Sequence, residues 1–200
     1  MKNSTTLERI ARNGLHGIGW YEMARHELRE VAQAEGWHTS HFADVIAITS
    51  PRVTVRRNVR LALQVMIDCP LSNMMTSIKA SVEAYYAGEG ISGPKTAAFA
   101  RALQGCRESI VLDVHMANAL DVEQRLFRRA YVRAQCERRI RNVAERLGVF
   151  PVEAQEAIWF GQKLLRGENP EPMPLMSEYR NWLRYDRAFP DGSIEELSDD

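Results

Sequence analysis

The sequence is short of the features that mark membrane, secreted and metal-binding proteins. Its apolar runs, such as residues 45–48, fall far below the roughly 18 residues that cross a bilayer, and no charged and then apolar leader opens the chain. The three cysteines, Cys69, Cys106 and Cys136, form no C-x-x-C pair, so the usual ligand spacing of zinc and iron–sulfur sites is missing. We therefore expect a soluble cytoplasmic protein with reduced thiols, no metal and no cofactor.

The sequence also lacks net charge, because 26 basic residues balance 26 acidic ones over 200 positions. The balance is uneven along the chain. Residues 51–146 carry 16 Lys and Arg against 9 Asp and Glu, whereas the last 30 residues carry 8 acidic against 3 basic side chains. A basic middle suits a polyanionic partner, although solvated arginine-rich helix faces give the same count.

Apolar residues recur at helical spacing through most of the chain and alternating stretches are rare, which predicts an all-α fold. One helix is expected to run from Trp20 to Gly36. Ser40 is expected to cap the next helix, and Thr54 or Ser50 the third. Further helices are expected over 72–86, 94–103, an arginine-rich region ending near 148, and from 151, with a last turn or two over 179–183.

Residues 89–116, EGISGPKTAAFARALQGCRESIVLDVHM, hold the most informative motif. A glycine hairpin leads into GPKTA at 93–97, and LDVHM follows at 112–116, so that Asp113 lies 18 residues after Lys95. This pattern resembles the helix-hairpin-helix (HhH-GPD) DNA glycosylase superfamily, in which a Gly-x-Lys-(Thr/Val)-Ala helix start precedes an aspartate in a Val-Asp-x-His context. The Asp-Val-His-Met motif is most similar to the 8-oxoguanine-removing branch. The segment at 41–63, HFADVIAITSPRVTVRRNVRLAL, resembles the first barrel helices of the family.

The resemblance implies a two-lobed helical bundle that acts as a monomer on double-stranded DNA. One domain, 1–188, would contain a lobe at 40–116 and a second lobe from 1–39 and 117–188, before an acidic disordered tail at 189–200. Its activity would be that of a DNA glycosylase, with an AP-lyase step as an option, in the cytoplasm beside the nucleoid or in a host cell if the compact chain is phage-encoded. Only 43 residues separate Arg52 from Lys95, so at least one barrel helix must be trimmed.

The chemistry of glycosidic cleavage gives Lys95 and Asp113 separate roles. Positive charge builds on the sugar, so a carboxylate near C1′, here Asp113, stabilises the transition state. A lysine attacks only as the neutral amine, which burial and a helix N-terminus favour, and Lys95 stands two residues into a predicted helix. Taken singly, such a lysine is usually a solvated charge and such an aspartate an N-cap.

Backbone N–H groups of a glycine turn ahead of a helix can hold phosphate. The predicted DNA contacts are Gly90, Ile91, Ser92, Gly93, Thr96, His115, Arg56, Arg57 and Lys79, together with Arg52 as a groove-inserting wedge. The family prefers Leu-Pro-Gly-hydrophobic-Gly, and here the first glycine is displaced by one, beside the repelling Glu89. His115 fits a structural role equally well, and Arg52 fits an ordinary surface loop.

A flipped base needs an aromatic platform and a few polar groups. Trp20, Gln155 and Trp159 are the predicted pocket residues, and packing in the core is their alternative role. Two other functions remain open on the same residues. One is a DNA base-modifying transferase of the phage thymine-hypermodification kind, and the other is a non-catalytic helix-hairpin-helix DNA-binding module.

Overall fold

The computed structural model describes residues 2–68, 74–168, 170 and 173–185, and all regular structure in these residues is helical. The all-α prediction is confirmed. Short 3₁₀ turns at Leu15–Gly17 and Gln124–Arg128 accompany the longer helices. These helices are α1 Ser4–Asn13, α2 Trp20–Glu35, α3 Thr39–Thr49, α4 Val55–Met66, α5 Thr76–Ala84, α6 Pro94–Leu103, α7 Val114–Leu120, α8 Ala130–Leu147, α9 Pro151–Leu165 and α10 Leu175–Tyr185.

The chain divides into two compact units. Unit 1 comprises Met1–His26 and Ser92–Pro172, and unit 2 comprises Glu27–Ile91 and Met173–Asp200. These boundaries differ from the expected lobes at 40–116 and at 1–39 with 117–188. One reason is that Ile110, Leu112 and Met116 belong to a single core with α1, α8 and α9. The expected tail at 189–200 lies outside the described residues.

Unit 1 is built on the close approach of α1 and α9. A Cβ atom added to Gly161 would lie 2.0 Å from the carbonyl oxygen of Ile10, and one added to Gly14 would lie 2.1 Å from that of Ala157. Neither site has room for a side chain, so the two backbones touch directly. Around this contact α7 and α8 supply fully buried apolar side chains, including Met116, Leu120 and Ile140.

Unit 2 contains the second half of α2 with α3, α4, α5 and α10. The last helix is longer than the expected turn at 179–183, because polar bonds along its length tie it down. Glu178, only 2% exposed, pairs with Arg60 at 2.5 Å. The Tyr179 hydroxyl donates to Glu35 at 2.6 Å, and the backbone N–H of Met176 donates to Glu27 at 3.0 Å.

Local signals set most helix ends. Thr54 caps α4 by accepting from the Arg57 N–H at 3.3 Å, as one of the two expected caps. The Ser40 cap was wrong. Helix α3 begins at Thr39 after His38, whose side chain makes no capping bond. Instead Trp37 packs on Phe42 with ring centroids 5.3 Å apart, a hydrophobic staple that starts the helix earlier. The predicted 72–86 helix is observed over Thr76–Ala84, and its first residues lie outside the described chain.

Candidate active site

Lys95 and Asp113 both stand at helix starts within unit 1. Gly93, at φ 84°, turns the chain into α6, with Pro94 as its first residue and Lys95 as its second. An extended segment then leads from the end of α6 to Asp113. It is held where the Ser109 hydroxyl donates to the carbonyl of Ala98 at 2.7 Å. The sequence predicted this local arrangement correctly.

Both carboxylate oxygens of Asp113 have a hydrogen-bond donor. Oδ1 accepts the N–H of Met116 at 2.8 Å, which caps α7. Oδ2 accepts the indole Nε1–H of Trp159, on α9, at 3.0 Å. Two helices therefore set the orientation of this carboxylate. Asp113 is therefore the N-cap of α7, which was the ordinary structural role considered for it from the sequence. It is also half-buried, beside the Trp159 ring.

Lys95 is half-buried and has no hydrogen-bond or ion-pair partner among the described residues. Burial lowers the pKa of its amine, because a low-dielectric environment disfavours the ammonium form, while the carboxylate of Asp113 acts in the opposite direction. The two groups are thus close enough to interact electrostatically. A lowered pKa favours the neutral amine, which is the form in which a lysine acts as a nucleophile.

The three predicted pocket residues come together in unit 1. The rings of Trp20 and Trp159 lie 6.3 Å apart between centroids, and Trp20 packs edge-on against Tyr21 at 5.0 Å. The Tyr21 hydroxyl donates to Oε1 of Gln155 at 3.4 Å. One face of the Trp159 ring is covered by the amino group of Lys163, 4.6 Å from the centroid. Trp159 is therefore engaged by a cation and by Asp113.

Tyr21 links this aromatic cluster to two carboxylates. Burial raises its pKa well above the usual value, and the nearby charges of Asp113 and Glu156 raise it further. Its ring also contacts Phe99, one turn beyond Lys95 on α6, with centroids 6.0 Å apart. The phenol therefore stays protonated and serves as a hydrogen-bond donor rather than a charge.

Sequence reasoning missed Glu156, which is 3% exposed. Its carboxylate accepts the N–H groups of Gly19 at 2.9 Å and Tyr21 at 2.7 Å, and so holds the start of α2. Burial raises its pKa to about 7, against the lowering effect of these two bonds. A signal was available, because Val152 and Phe160, four residues away on either side, are buried on the same face of α9.

The predicted phosphate-binding turn is distributed over both units. Gly90 and Ile91 belong to unit 2, whereas Ser92, Gly93 and Thr96 belong to unit 1. A widened helical turn, Tyr85–Glu89, precedes them. A Cβ atom on Gly90 or Gly93 would meet nothing within 4 Å, so positive φ angles of 74° and 84° explain these glycines.

His115 lies in unit 1, half-buried, with its ring edge against Trp159 at a centroid separation of 5.5 Å. Its Nδ1 atom is buried and has no hydrogen-bond partner among the described residues. This ring packing is that of a structural histidine, but Nδ1 lacks the hydrogen bond that would satisfy such a residue.

The remaining predicted DNA contacts, Arg52, Arg56, Arg57 and Lys79, lie in unit 2. Arg52 is exposed in the loop after α3 and adopts a left-handed backbone, φ 62°, that is uncommon for a long side chain. Arg56 lies 3.4 Å from Glu178, so its charge is partly neutralised within the protein. Lys79 is exposed and lies 3.9 Å from Glu83.

Within the described part of the chain, no three His, Cys, Asp or Glu side chains converge in a way that could hold a metal ion. In the same residues, none of the helices combines the length and the apolar character needed to span a membrane.

The fold and the site define a protein that is helical throughout its described regular structure, in which a half-buried lysine and a doubly hydrogen-bonded aspartate stand at the starts of two successive helices. The chain belongs to a family of unknown function, DUF7178, whose model matches residues 10–166. That span includes Lys95, Asp113, Glu156 and Trp159, and ends just after α9. Neither a curated protein nor a solved structure matches the chain significantly.

Proposed function

We propose that this protein is a DNA N-glycosylase with a helix-hairpin-helix glycosylase-like fold, acting on an 8-oxoguanine-type base. The observation that carries the proposal is that unit 1 contains both a half-buried Lys95 at the start of α6 and the oriented Asp113 carboxylate at the start of α7, whose charge acts on the Lys95 amine. The resemblance at residues 89–116 supports it, since these are the two side chains that its motif supplies.

Each group has a defined part in the proposed reaction. The neutral amine of Lys95 attacks C1′ of the damaged nucleotide, and the electron pair of the N-glycosidic bond leaves with the base. Asp113 stabilises the positive charge that develops on the sugar. The ammonium formed by the attack gives one proton to the departing base. Opening of the sugar ring breaks the C1′–O4′ bond and passes the other proton to O4′, which leaves a Schiff base at C1′. Removal of a C2′ proton then eliminates the 3′ phosphate and nicks the strand.

The proposed substrate is duplex DNA, bound by a monomer beside the nucleoid or in a host cytoplasm. The glycine turn at 90–93 and the exposed cations Arg52, Arg57 and Lys79 would contact the phosphates and the minor groove. Trp20 and Gln155 would face the flipped base. The ring of Trp159 holds Asp113 and so contributes mainly to the catalytic geometry.

Borohydride trapping on lesion-bearing duplex tests the proposal directly. Reduction converts the Schiff base into a stable adduct that a denaturing gel resolves. Lys95→Ala and Lys95→Arg should abolish the adduct, and Lys2→Ala, which changes a half-buried lysine elsewhere in unit 1, should retain it. An undiminished adduct in the Lys95 variants would falsify the assignment.

A panel of duplexes with oxidised, deaminated, alkylated and phage-type modified bases identifies the reaction and the substrate. Abasic product supports the glycosylase, and a heavier nucleoside by mass spectrometry indicates the base-modifying transferase instead. Salt-sensitive DNA binding without any product indicates a binding module. Asp113→Asn should leave DNA binding largely intact and slow base release about 100-fold or more, the loss expected when one charge-stabilising group is removed.

A further inference from the structure

A groove of about 400 Å³ opens in unit 1 on the face of α6 that carries Lys95 and Arg101. Helix α8 forms the opposite side and contributes Arg133 and Arg141. Four cationic side chains from two helices therefore converge on one groove. Neither the proposed glycosidic cleavage nor the predicted hairpin contacts require the three arginines.

The cationic charge of the groove is only partly neutralised. Arg141 pairs with Glu108 at 2.6 Å, and Glu137 is the other acidic side chain of the lining. Arg133 donates one Nη1–H to the carbonyl of Phe127 at 2.8 Å, which fixes its guanidinium without cancelling its charge. Arg101 is exposed and has no ion-pair partner among the described residues. The groove thus has an excess of positive charge.

Apart from these charged residues, Cys106 and Ser109, the lining is apolar. Phe127, Ile110 and Leu112 contribute to the wall and are 5–7% exposed, so they present small, fixed apolar patches. A volume of about 400 Å³ is that of a site for a small organic ligand rather than for a bare ion. Guanidinium groups on one side and apolar surface on the other match a ligand with a phosphate and a compact organic body.

We propose that this groove binds a nucleotide, with its phosphate against Arg101 and Arg133 and its nucleoside against the apolar wall at Phe127. The same chemistry has two sources, a free mononucleotide or one unit of a single strand. Lys95 also lines the groove, so the groove adjoins the proposed reaction site. The proposed ligand contacts are nevertheless Arg101, Arg133 and Phe127, which the glycosylase reaction does not use, and their test needs no catalysis.

Cys106 provides a local reporter, since it lines the groove and is exposed, whereas Cys136 is fully buried. The experiment is alkylation of the full chain by iodoacetamide, with the rate at Cys106 read from its own peptide by mass spectrometry. dTMP and a short oligo(dT) strand are titrated separately, and inorganic phosphate alone provides the comparison without a nucleoside. We expect bound nucleotide to slow alkylation of Cys106.

Three substitutions distinguish specific protection from a general salt effect. Arg101→Gln should raise the half-protecting nucleotide concentration about five-fold or more, because it removes a charge-assisted contact. Glu137→Gln should lower that concentration about two-fold or more, because it removes a repelling carboxylate. Arg138→Gln should change nothing, since Arg138 is exposed on the same helix and lies outside the groove lining.

Protection of Cys106 at a lower concentration of dTMP indicates that the groove binds a free mononucleotide. Protection at a lower concentration of oligo(dT) indicates that it binds one unit of a single strand. No protection by either ligand at millimolar concentration overturns the proposal. Protection that is unaffected by both Arg101→Gln and Glu137→Gln also overturns it, and so does inorganic phosphate protecting as well as dTMP. If the wild-type protein formed no borohydride adduct, the glycosylase proposal would fail, but the protection of Cys106 by nucleotide would be unaffected. The two proposals can therefore fail separately.

Discussion

The indole Nε1–H of Trp159 donates a 3.0 Å hydrogen bond to Oδ2 of Asp113, 46 positions earlier in the chain. This bond connects the middle of α9 to the first residue before α7. It leaves the Met116 N–H as the donor to the other oxygen, so neither carboxylate oxygen depends on water for its orientation. Trp159, which was expected to form part of the platform for the flipped base, therefore also positions the proposed catalytic carboxylate of Asp113.

Removing that bond should slow catalysis without unfolding the protein. Trp159→Phe keeps an aromatic ring and deletes the N–H, so we expect base release to slow about tenfold, the equivalent of roughly 1.4 kcal/mol in the barrier. Single-turnover kinetics on lesion-bearing duplex measures the effect. Trp37→Phe, which removes an indole N–H in unit 2 and leaves the Asp113 bonds intact, is the control. Equal rates for wild type and Trp159→Phe would show that the indole has no positioning role.

Burial of Lys95 predicts how adduct formation depends on pH. Because its pKa lies below the usual 10.5, the yield of trapped adduct should rise with pH and reach half its maximum below pH 10.5. The Asp113 carboxylate raises this pKa, so in Asp113→Asn the midpoint should move to still lower pH, although every rate is slower. Initial trapping rates across a pH series test both parts. A midpoint that moves upward in Asp113→Asn contradicts the assigned interaction.

The raised pKa of the buried Glu156 should make the stability of the folded protein depend on pH. Its pKa rises from 4.5 to about 7 on folding, so the native state binds this proton more tightly than the unfolded state does. The stabilisation that Glu156 contributes to the folded state is therefore complete below pH 4.5. It is lost as pH rises through 7, and the loss in the free energy of unfolding is at most about 3 kcal/mol. Glu153 and Glu22, which face it, act in the same direction.

Denaturant unfolding of wild type and Glu156→Gln from pH 4.5 to 8 measures this contribution. The variant cannot ionise, but its single amide oxygen leaves one of the two N–H donors poorly matched, so it should be less stable at low pH. Its deficit should shrink as pH rises. Glu22→Gln, at an exposed site on α2, should run nearly parallel to wild type. A constant gap between wild type and Glu156→Gln would refute the prediction.

Two substitutions at Arg52 should separate its effect on protein stability from its effect on DNA binding. At φ 62° a residue with a Cβ costs roughly 1 kcal/mol that glycine avoids, so Arg52→Gly should raise the free energy of unfolding by about 0.5–1 kcal/mol. Arg52→Ala removes the same side chain and keeps the strained backbone, so its stability should match wild type. If the arginine enters the minor groove, both variants should weaken binding to lesion-bearing duplex equally. A less stable Arg52→Gly would exclude backbone strain at this loop.

Sequence reasoning succeeded where neighbouring residues decide the structure. Gly93 and Pro94 predicted the start of α6, and Gly148, at φ 68°, predicted the end of α8. Asp113 was expected at a helix start, and it caps α7. Each of these outcomes depends on the backbone preferences and short hydrogen bonds of a few consecutive residues.

The same reasoning could not foresee bonds between distant helices. Arg56 was expected as a phosphate contact, yet it lies 3.4 Å from Glu178, 122 positions away. Glu156 shares its bonds with backbone groups more than 130 positions earlier. Such partners depend on which faces of the helices meet, and one sequence contains many charged residues that could satisfy each other equally well.

By itself, the amino-acid sequence determined that the chain is helical, where most helices begin and end, and that Lys95 and Asp113 follow two such boundaries. These properties arise from local propensity and capping, which act over a few residues. The tertiary packing decided that Trp159 would hold Asp113, that Lys95 would be half-buried where the charge of that carboxylate acts on it, and that arginines from α6 and α8 would share a groove. Only the folded core could decide these, because burial and long-range hydrogen bonds exist only once distant segments are brought into contact.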